Sequence, residues 1–156
     1  MDLLLWRHAD ALELPEGSEM NDMDRPLTSK GLRHAKRMAV WLDRHLPDNT
    51  RILVSPALRT LQTSQALPRK ARQLEALGPQ ACVETVLNAC RWPENRETTL
   101  LIGHQPTLGA LASYLVTGAP HSWSVRKGSV WWLKHRERHG RQEVVIHGVM
   151  SPELLP

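Results

Sequence analysis

The sequence predicts an α/β domain: a mostly parallel sheet covered by helices and closed toward the C-terminus by a β-hairpin. Three observations lead there. Leu3–Trp6, Arg51–Val54 and Thr99–Ile102 are short, almost wholly apolar runs without polar alternation, as suits strands buried on both faces. Stretches of helical spacing separate them, and strands alternating with helices imply right-handed crossovers and parallel pairing. Near the end, Ser129–Leu133 and Glu143–Ile146 flank a polar turn containing glycine, the pattern of a hairpin. The chain of 156 residues fits one domain over 1–150 and a tail over 151–156. A chain of this size buries roughly two thirds of its unfolded surface and needs no staple.

The first run ends abruptly in Arg7 and His8. Residues 9–24 carry Pro, Gly, Ser, Asn and several acids without a period, and read as a surface loop over that strand end. Thr28 can then cap a helix whose Leu32, Ala35, Ala39, Leu42 and Leu46 step by three and four, until Pro47-Asp48-Asn49 ends it. After the second run, Ser55 suits an N-cap and Pro56 the first helical position. Arg59 then falls about one turn into a helix reaching about Leu67. A basic segment with Gly and Pro leads to a helix over about 80–90, and a polar loop over 92–98 precedes the third strand. That strand ends in Gly103-His104, and the next helix starts near Pro106.

Composition narrows the class. Hydrophobic residues make up 41% and charged ones 23%, and no apolar stretch approaches the ~20 residues of a membrane span. The start lacks the basic and apolar regions of a signal peptide, so a soluble, cytoplasmic protein is expected. Cys82 and Cys90, eight apart on one predicted helix, are separated by about 12 Å of rise, too far for a disulfide, and read as buried thiols. The formal charge of +4 favours anionic partners, although Lys and Arg are spread along the chain.

Parallel strands place their carboxyl ends along one edge, where ligands of open α/β sheets bind. Arg7-His8, the Ser55–Arg59 turn and Gly103-His104 are therefore expected to meet in one pocket. Taken singly, each has a plainer explanation: a strand end facing water, or an arginine solvated on the first turn of a helix. Together, Arg7, His8, Arg59 and His104 suit a phosphoryl group, whose oxygens accept from guanidinium and imidazole donors. A neutral imidazole can also attack phosphorus and form a phosphohistidine. Neighbouring guanidiniums help, because nearby positive charge keeps an imidazole neutral.

The ordered motifs L-x-W-R-H-A-D-A, R-P-L-T-x-x-G, L-V-S-P-A-L-R-T-x-Q-T and L-x-I-G-H-Q-P-T-L resemble the histidine phosphatase superfamily, in particular its small SixA-type phosphohistidine phosphatase branch. The resemblance runs from Leu3 to about Leu115. It implies a three-layer α/β/α sandwich with a mixed sheet, His8 as the phosphorylated nucleophile, and Arg7, Arg59 and His104 as ligands of the phosphoryl oxygens. Arg25 matches a position that in this branch can also reach the phosphate. No metal or organic cofactor is implied. The expected partner is a phosphohistidine-bearing phosphotransfer protein, or a small phosphorylated molecule, with neither nucleic acid nor membrane involved.

Two departures stand out. The superfamily signature is usually R-H-G, and Ala9 replaces the glycine, which matters only if that position needs a positive φ. Larger members place an acid near the leaving group, where this chain offers only Glu75 as a candidate general acid. A protonated imidazole leaves phosphorus far more readily than an alkoxide, so phosphohistidine is the expected substrate and alkyl phosphate esters the alternative. A non-catalytic phosphate-binding protein is a further alternative.

Other classes fit less well. A metal hydrolase could use His8, Asp10 and His104, but the arginines would repel a divalent cation. A nucleic-acid module should interleave aromatics with a basic stripe, whereas most aromatics here are tryptophans in apolar runs or on helices. His34 and His45 are expected to be exposed on a charged helix, and His121, His135, His139 and His147 to lie in loops or the hairpin.

Overall fold

Four consecutive apolar residues with no polar relief can only be satisfied in the middle of a sheet covered on both sides. The computed structural model, which describes residues 1–156, puts them there as β1 (Asp2–Arg7), with Leu3, Leu4, Leu5 and Trp6 all at 0% exposure. The chain continues through α1 (Ser29–His45), β2 (Arg51–Val54), α2 (Leu58–Gln65), β3 (Arg72–Gln73) and α3 (Val83–Cys90). It ends with β4 (Thr99–Gly103), α4 (Thr107–Thr117), β5 (Val130–Arg138) and β6 (Arg141–Met150).

The sheet order is β3-β2-β4-β1-β5-β6. The first four strands are parallel, and β5 and β6 add in antiparallel sense as the hairpin. Because successive strand residues face opposite sides, the sheet has two cores. Leu3, Leu5, Leu53 and Leu101 pack with residues of α3 and α4. Leu4, Trp6, Ile52 and Ile102 pack with Met38, Ala39 and Leu42 of α1 and with Leu67 beyond α2. The fold is thus a three-layer α/β/α sandwich with a mixed, mostly parallel sheet. Truncating any of these strand leucines to Ala is expected to cost about 2–5 kcal/mol.

Thr28 caps α1, its hydroxyl accepting from Gly31 N at 3.0 Å. The buried face of α1 is Gly31, Ala35, Met38, Ala39 and Leu42, so Met38 occupies the core and Leu32 is exposed. Gly31 is required by contact: a Cβ there would lie 2.0 Å from the Asp10 carbonyl oxygen.

Several expectations are corrected. α2 begins later than expected, at Leu58 with Ala57 at its cap, although the Ser55 hydroxyl still accepts from Ala57 N at 3.3 Å. Cys82 lies at the cap before α3, not inside the helix, and is exposed, while Cys90 is buried. β3 is an added edge strand, whose two exposed polar residues carry no apolar signal. The hairpin strands run several residues longer than their apolar runs and turn at His139-Gly140, both with positive φ. Residues beyond β6 are not loose: Pro152 is buried in a 3-10 turn and Leu155 packs against the α1 side of the core. No helix is long and apolar enough to cross a membrane.

Candidate active site

Strand register brings the three chemical segments together. β4 lies between β2 and β1, with Arg7 paired to Gly103 and Val54 to Ile102. Backbone bonds carry the alignment one residue past the strands: His8 N donates to Gly103 O at 3.1 Å, and Ser55 N to Ile102 O at 3.1 Å. His104 therefore stands between His8 and Ser55. The imidazole centroids of His8 and His104 are 5.4 Å apart, and both residues are buried.

The hydrogen bonds fix which ring atoms are available. His8 Nδ1 lies 2.8 Å from the Ala9 carbonyl oxygen, which can only accept. Nδ1 thus carries the proton of the neutral ring, and Nε2 keeps its lone pair. His104 Nε2 lies 2.7 Å from Ser55 Oγ, which also accepts from Ala57 N. With the Ser55 hydroxyl donating to Nε2, the proton of His104 resides on Nδ1, a buried atom without a protein partner. Ala9 is absent from the positive-φ residues, so it meets no strain where the signature has glycine.

Three guanidiniums surround the rings. Arg7 donates from Nη1 to the Val125 carbonyl at 2.9 Å. Arg59 is 4% exposed and donates to the Asp22 carbonyl at 2.8 Å and to Asp22 Oδ2 at 3.1 Å. Arg25 donates to Asp22 Oδ1 at 3.1 Å and to the Leu12 carbonyl at 2.7 Å. The buried Nε atoms of Arg7 and Arg59 have no protein acceptor, like His104 Nδ1. Unsatisfied buried donors are costly and rare, and three on the residues of this cluster suit an acceptor-rich ligand such as an oxyanion.

Burial, outweighing the Ala9 hydrogen bond and joined by the charges of Arg59, Arg7 and Arg25, lowers His8 to a pKa of about 4. Burial, then Arg59 and His8, lowers His104 to about 3. Both rings are neutral at pH 7. Burial raises the Asp22 carboxyl, but the hydrogen bond from Arg25 and the charge of Arg59 prevail, so it sits below the usual carboxylate range. At neutral pH it is an anion and no source of protons.

The structure therefore gathers Arg7, His8, Arg59 and His104, with Arg25 at the rim. Glu75 is not among them: it lies just beyond β3, exposed, in a 3-10 turn. Asp10 is committed elsewhere, bonded to Thr28 Oγ1 at 2.7 Å and Lys127 at 3.3 Å. No group of three or more potential metal-ligating side chains occurs.

Sequence reasoning missed several supporting residues. Ser55 reads as a cap, and its contact with His104 becomes visible only when β2 and β4 are paired. Asp22 lies in an acid-rich loop with nothing to single it out. Gln105 grips the loop that supplies the Val125 carbonyl, donating to the Trp123 carbonyl at 2.8 Å and accepting from Gly109 N at 2.7 Å. Gly109 permits that approach, since a Cβ there would fall 1.7 Å from the Trp123 oxygen.

Comparison with known proteins gives concordant matches. The profile of the histidine phosphatase superfamily (branch 1) matches residues 3–77. The phosphohistidine phosphatase SixA of Escherichia coli K12 is 33% identical over 127 residues, covering 76% of each chain. An uncharacterized protein of Mycobacterium tuberculosis, MT1313, is 35% identical over 116 residues, covering 71% of this chain and 70% of its own. The structure of a protein histidine phosphatase SixA complexed with tungstate superposes with a TM-score of 0.76 at 28% identity, covering 99% of both chains.

Proposed function

This chain belongs to the histidine phosphatase superfamily, and from that membership we propose that it is a phosphohistidine phosphatase working through a covalent intermediate on His8. The observation that carries the reading is the state of His8: neutral at pH 7, protonated on Nδ1 by the Ala9 contact, with Nε2 free among three guanidiniums. An imidazole in that state is a nucleophile toward phosphorus.

In the first step His8 Nε2 forms a bond to phosphorus as the bond to the substrate's ring nitrogen breaks. The departing imidazole, protonated on its other nitrogen, leaves as a neutral ring. His8 becomes a phosphoimidazolium whose proton stays on Nδ1 and is donated to the Ala9 carbonyl. In the second step water attacks phosphorus, the bond to Nε2 breaks, and the water's proton leaves with orthophosphate and solvent. Arg7 Nε, Arg59 Nε and His104 Nδ1 hold the phosphoryl oxygens through both transfers, with donors fixed before the reaction begins. Arg25 adds charge at the rim. The tungstate bound by the SixA relative is an oxyanion of the same shape, which supports an oxyanion pocket here.

The leaving group decides the substrate class. An alkoxide needs a proton as it departs, and the carboxyl bonded to two of the arginines, Asp22, is held ionised. Phosphohistidine needs no such donor. The test compares kcat/KM for phosphohistidine on phosphotransfer proteins with a panel of small phosphate esters. Phosphohistidine is expected to lead by orders of magnitude, and a hexose phosphate leading instead would refute the preference.

A further inference from the structure

Away from the two histidines, the outer face of α1 forms a groove of about 430 Å³ lined by Arg33, Lys36, Arg37 and Arg44 around Val40 and Trp41. The four cations are exposed, and none forms an ion pair. Leu155 closes the apolar floor from the C-terminal turn, and Val40 is 47% exposed within it. The chain's formal excess is +4, equal to these four cations, so the remaining basic and acidic residues balance.

The stripe begins at a hollow that shares Arg7 with the histidine cluster. Arg7, Lys30, His34, Arg126 and Lys127 line a hollow of about 320 Å³, with Asp10 and Glu153 as its acids. Arg7 belongs both to this hollow and to the histidine cluster. From Lys30 the positions Arg33, Arg37, Trp41 and Arg44 step by three and four along α1, a track about 21 Å long. Cations flanking an apolar floor complement an acidic amphipathic helix, whose apolar side chain enters the floor while its carboxylates meet the rim. A nucleic-acid backbone would leave Val40, Trp41 and Leu155 without apolar partners.

We propose that this face of α1 is the docking surface for an acidic amphipathic helix beside the phosphohistidine of a protein substrate. The inference rests on the phosphohistidine phosphatase reading and adds the chemistry of the partner. The test measures turnover of free phosphohistidine and of a panel of acidic phosphotransfer proteins phosphorylated on histidine, for the natural chain and for R33E/K36E/R37E/R44E. At least one protein substrate is expected to show KM raised roughly tenfold or more with kcat unchanged, and turnover of free phosphohistidine to stay the same. Raising salt should weaken binding of that protein to the natural chain and scarcely affect the variant. The milder R37Q/R44Q serves if the fourfold variant does not fold, with the same direction expected.

Unchanged KM for every protein substrate overturns the proposal, as does an equal loss on free phosphohistidine. Groove-dependent retention of a duplex oligonucleotide with no effect on any protein substrate also overturns it. If neither substrate class is turned over, the enzymatic reading fails on its own. Docking is then decided by anisotropy of the labelled, unphosphorylated phosphotransfer proteins: salt-sensitive binding lost in the variant supports it, and equal binding contradicts it.

Discussion

His8 and His104 owe their chemistry to burial and to nearby guanidiniums, which together keep a second proton off each ring. With pKa values of about 4 and about 3 in the fold, against 6.5 for an ordinary imidazole, the unfolded chain binds more protons between those values. Stability therefore rises with pH across that window and is level above it with respect to these groups; conversely, it falls as pH drops from about 6.5 toward 4. Denaturant unfolding at stepped pH should show this slope, and replacing both rings by Asn should reduce it. An NMR titration of the His8 ring should give a midpoint near 4 in the free protein, moving upward when tungstate is added. A midpoint at the ordinary 6.5 would contradict the environment described. Ser55 acts one contact further out. Ser55→Ala removes the bond that holds His104 in its Nδ1–H form and leaves Ala57 N without its acceptor, so kcat/KM is expected to fall roughly tenfold and stability by about 1–3 kcal/mol. An unchanged kcat/KM would mean that the ring is oriented by packing alone.

Elements deliver these residues with the precision of their contacts. Gly31, in the first turn of α1, lets the helix press against the Asp10 backbone two residues beyond His8. Gly31→Ala must push the two apart. The expected cost is about 1–3 kcal/mol in denaturant unfolding, together with a loss of kcat, since the loop after β1 shifts with Asp10. Full activity at unchanged stability would refute that coupling. The three central strands and the cluster at their ends were legible in the sequence because buried parallel strands are apolar throughout and end abruptly at Arg7-His8, Val54-Ser55 and Gly103-His104. Smaller features were not. β3 consists of Arg72 and Gln73, which pair only by backbone and leave no pattern in side chains. Met38 supplanting Leu32 reflects where the helix meets the sheet, which periodicity locates only to within a residue. Asp22 acquires its meaning from Arg25 and Arg59, the latter far along the chain, and no local signal encodes such a meeting.

The molecule as a whole separates its tasks across the sheet. The carboxyl edge gathers nucleophile and oxyanion donors from β1, β2 and β4, while the hairpin β5–β6 extends the sheet beyond β1. The loop that precedes it supplies the Val125 carbonyl that holds Arg7. The outer face of α1 carries four exposed cations without ion pairs, so catalysis and partner selection are expected to be separable by mutation. Everything rests on His8 carrying the phosphoryl group. The most direct measurement is a rapid acid-free quench of the protein with radiolabelled phosphohistidine substrate, followed by mapping of the trapped phosphate. One alkali-stable, acid-labile phosphate is expected on His8, formed in a burst and absent from His8→Ala, whose turnover drops by at least about a thousandfold. Label on another residue, or full turnover by His8→Ala, would contradict it.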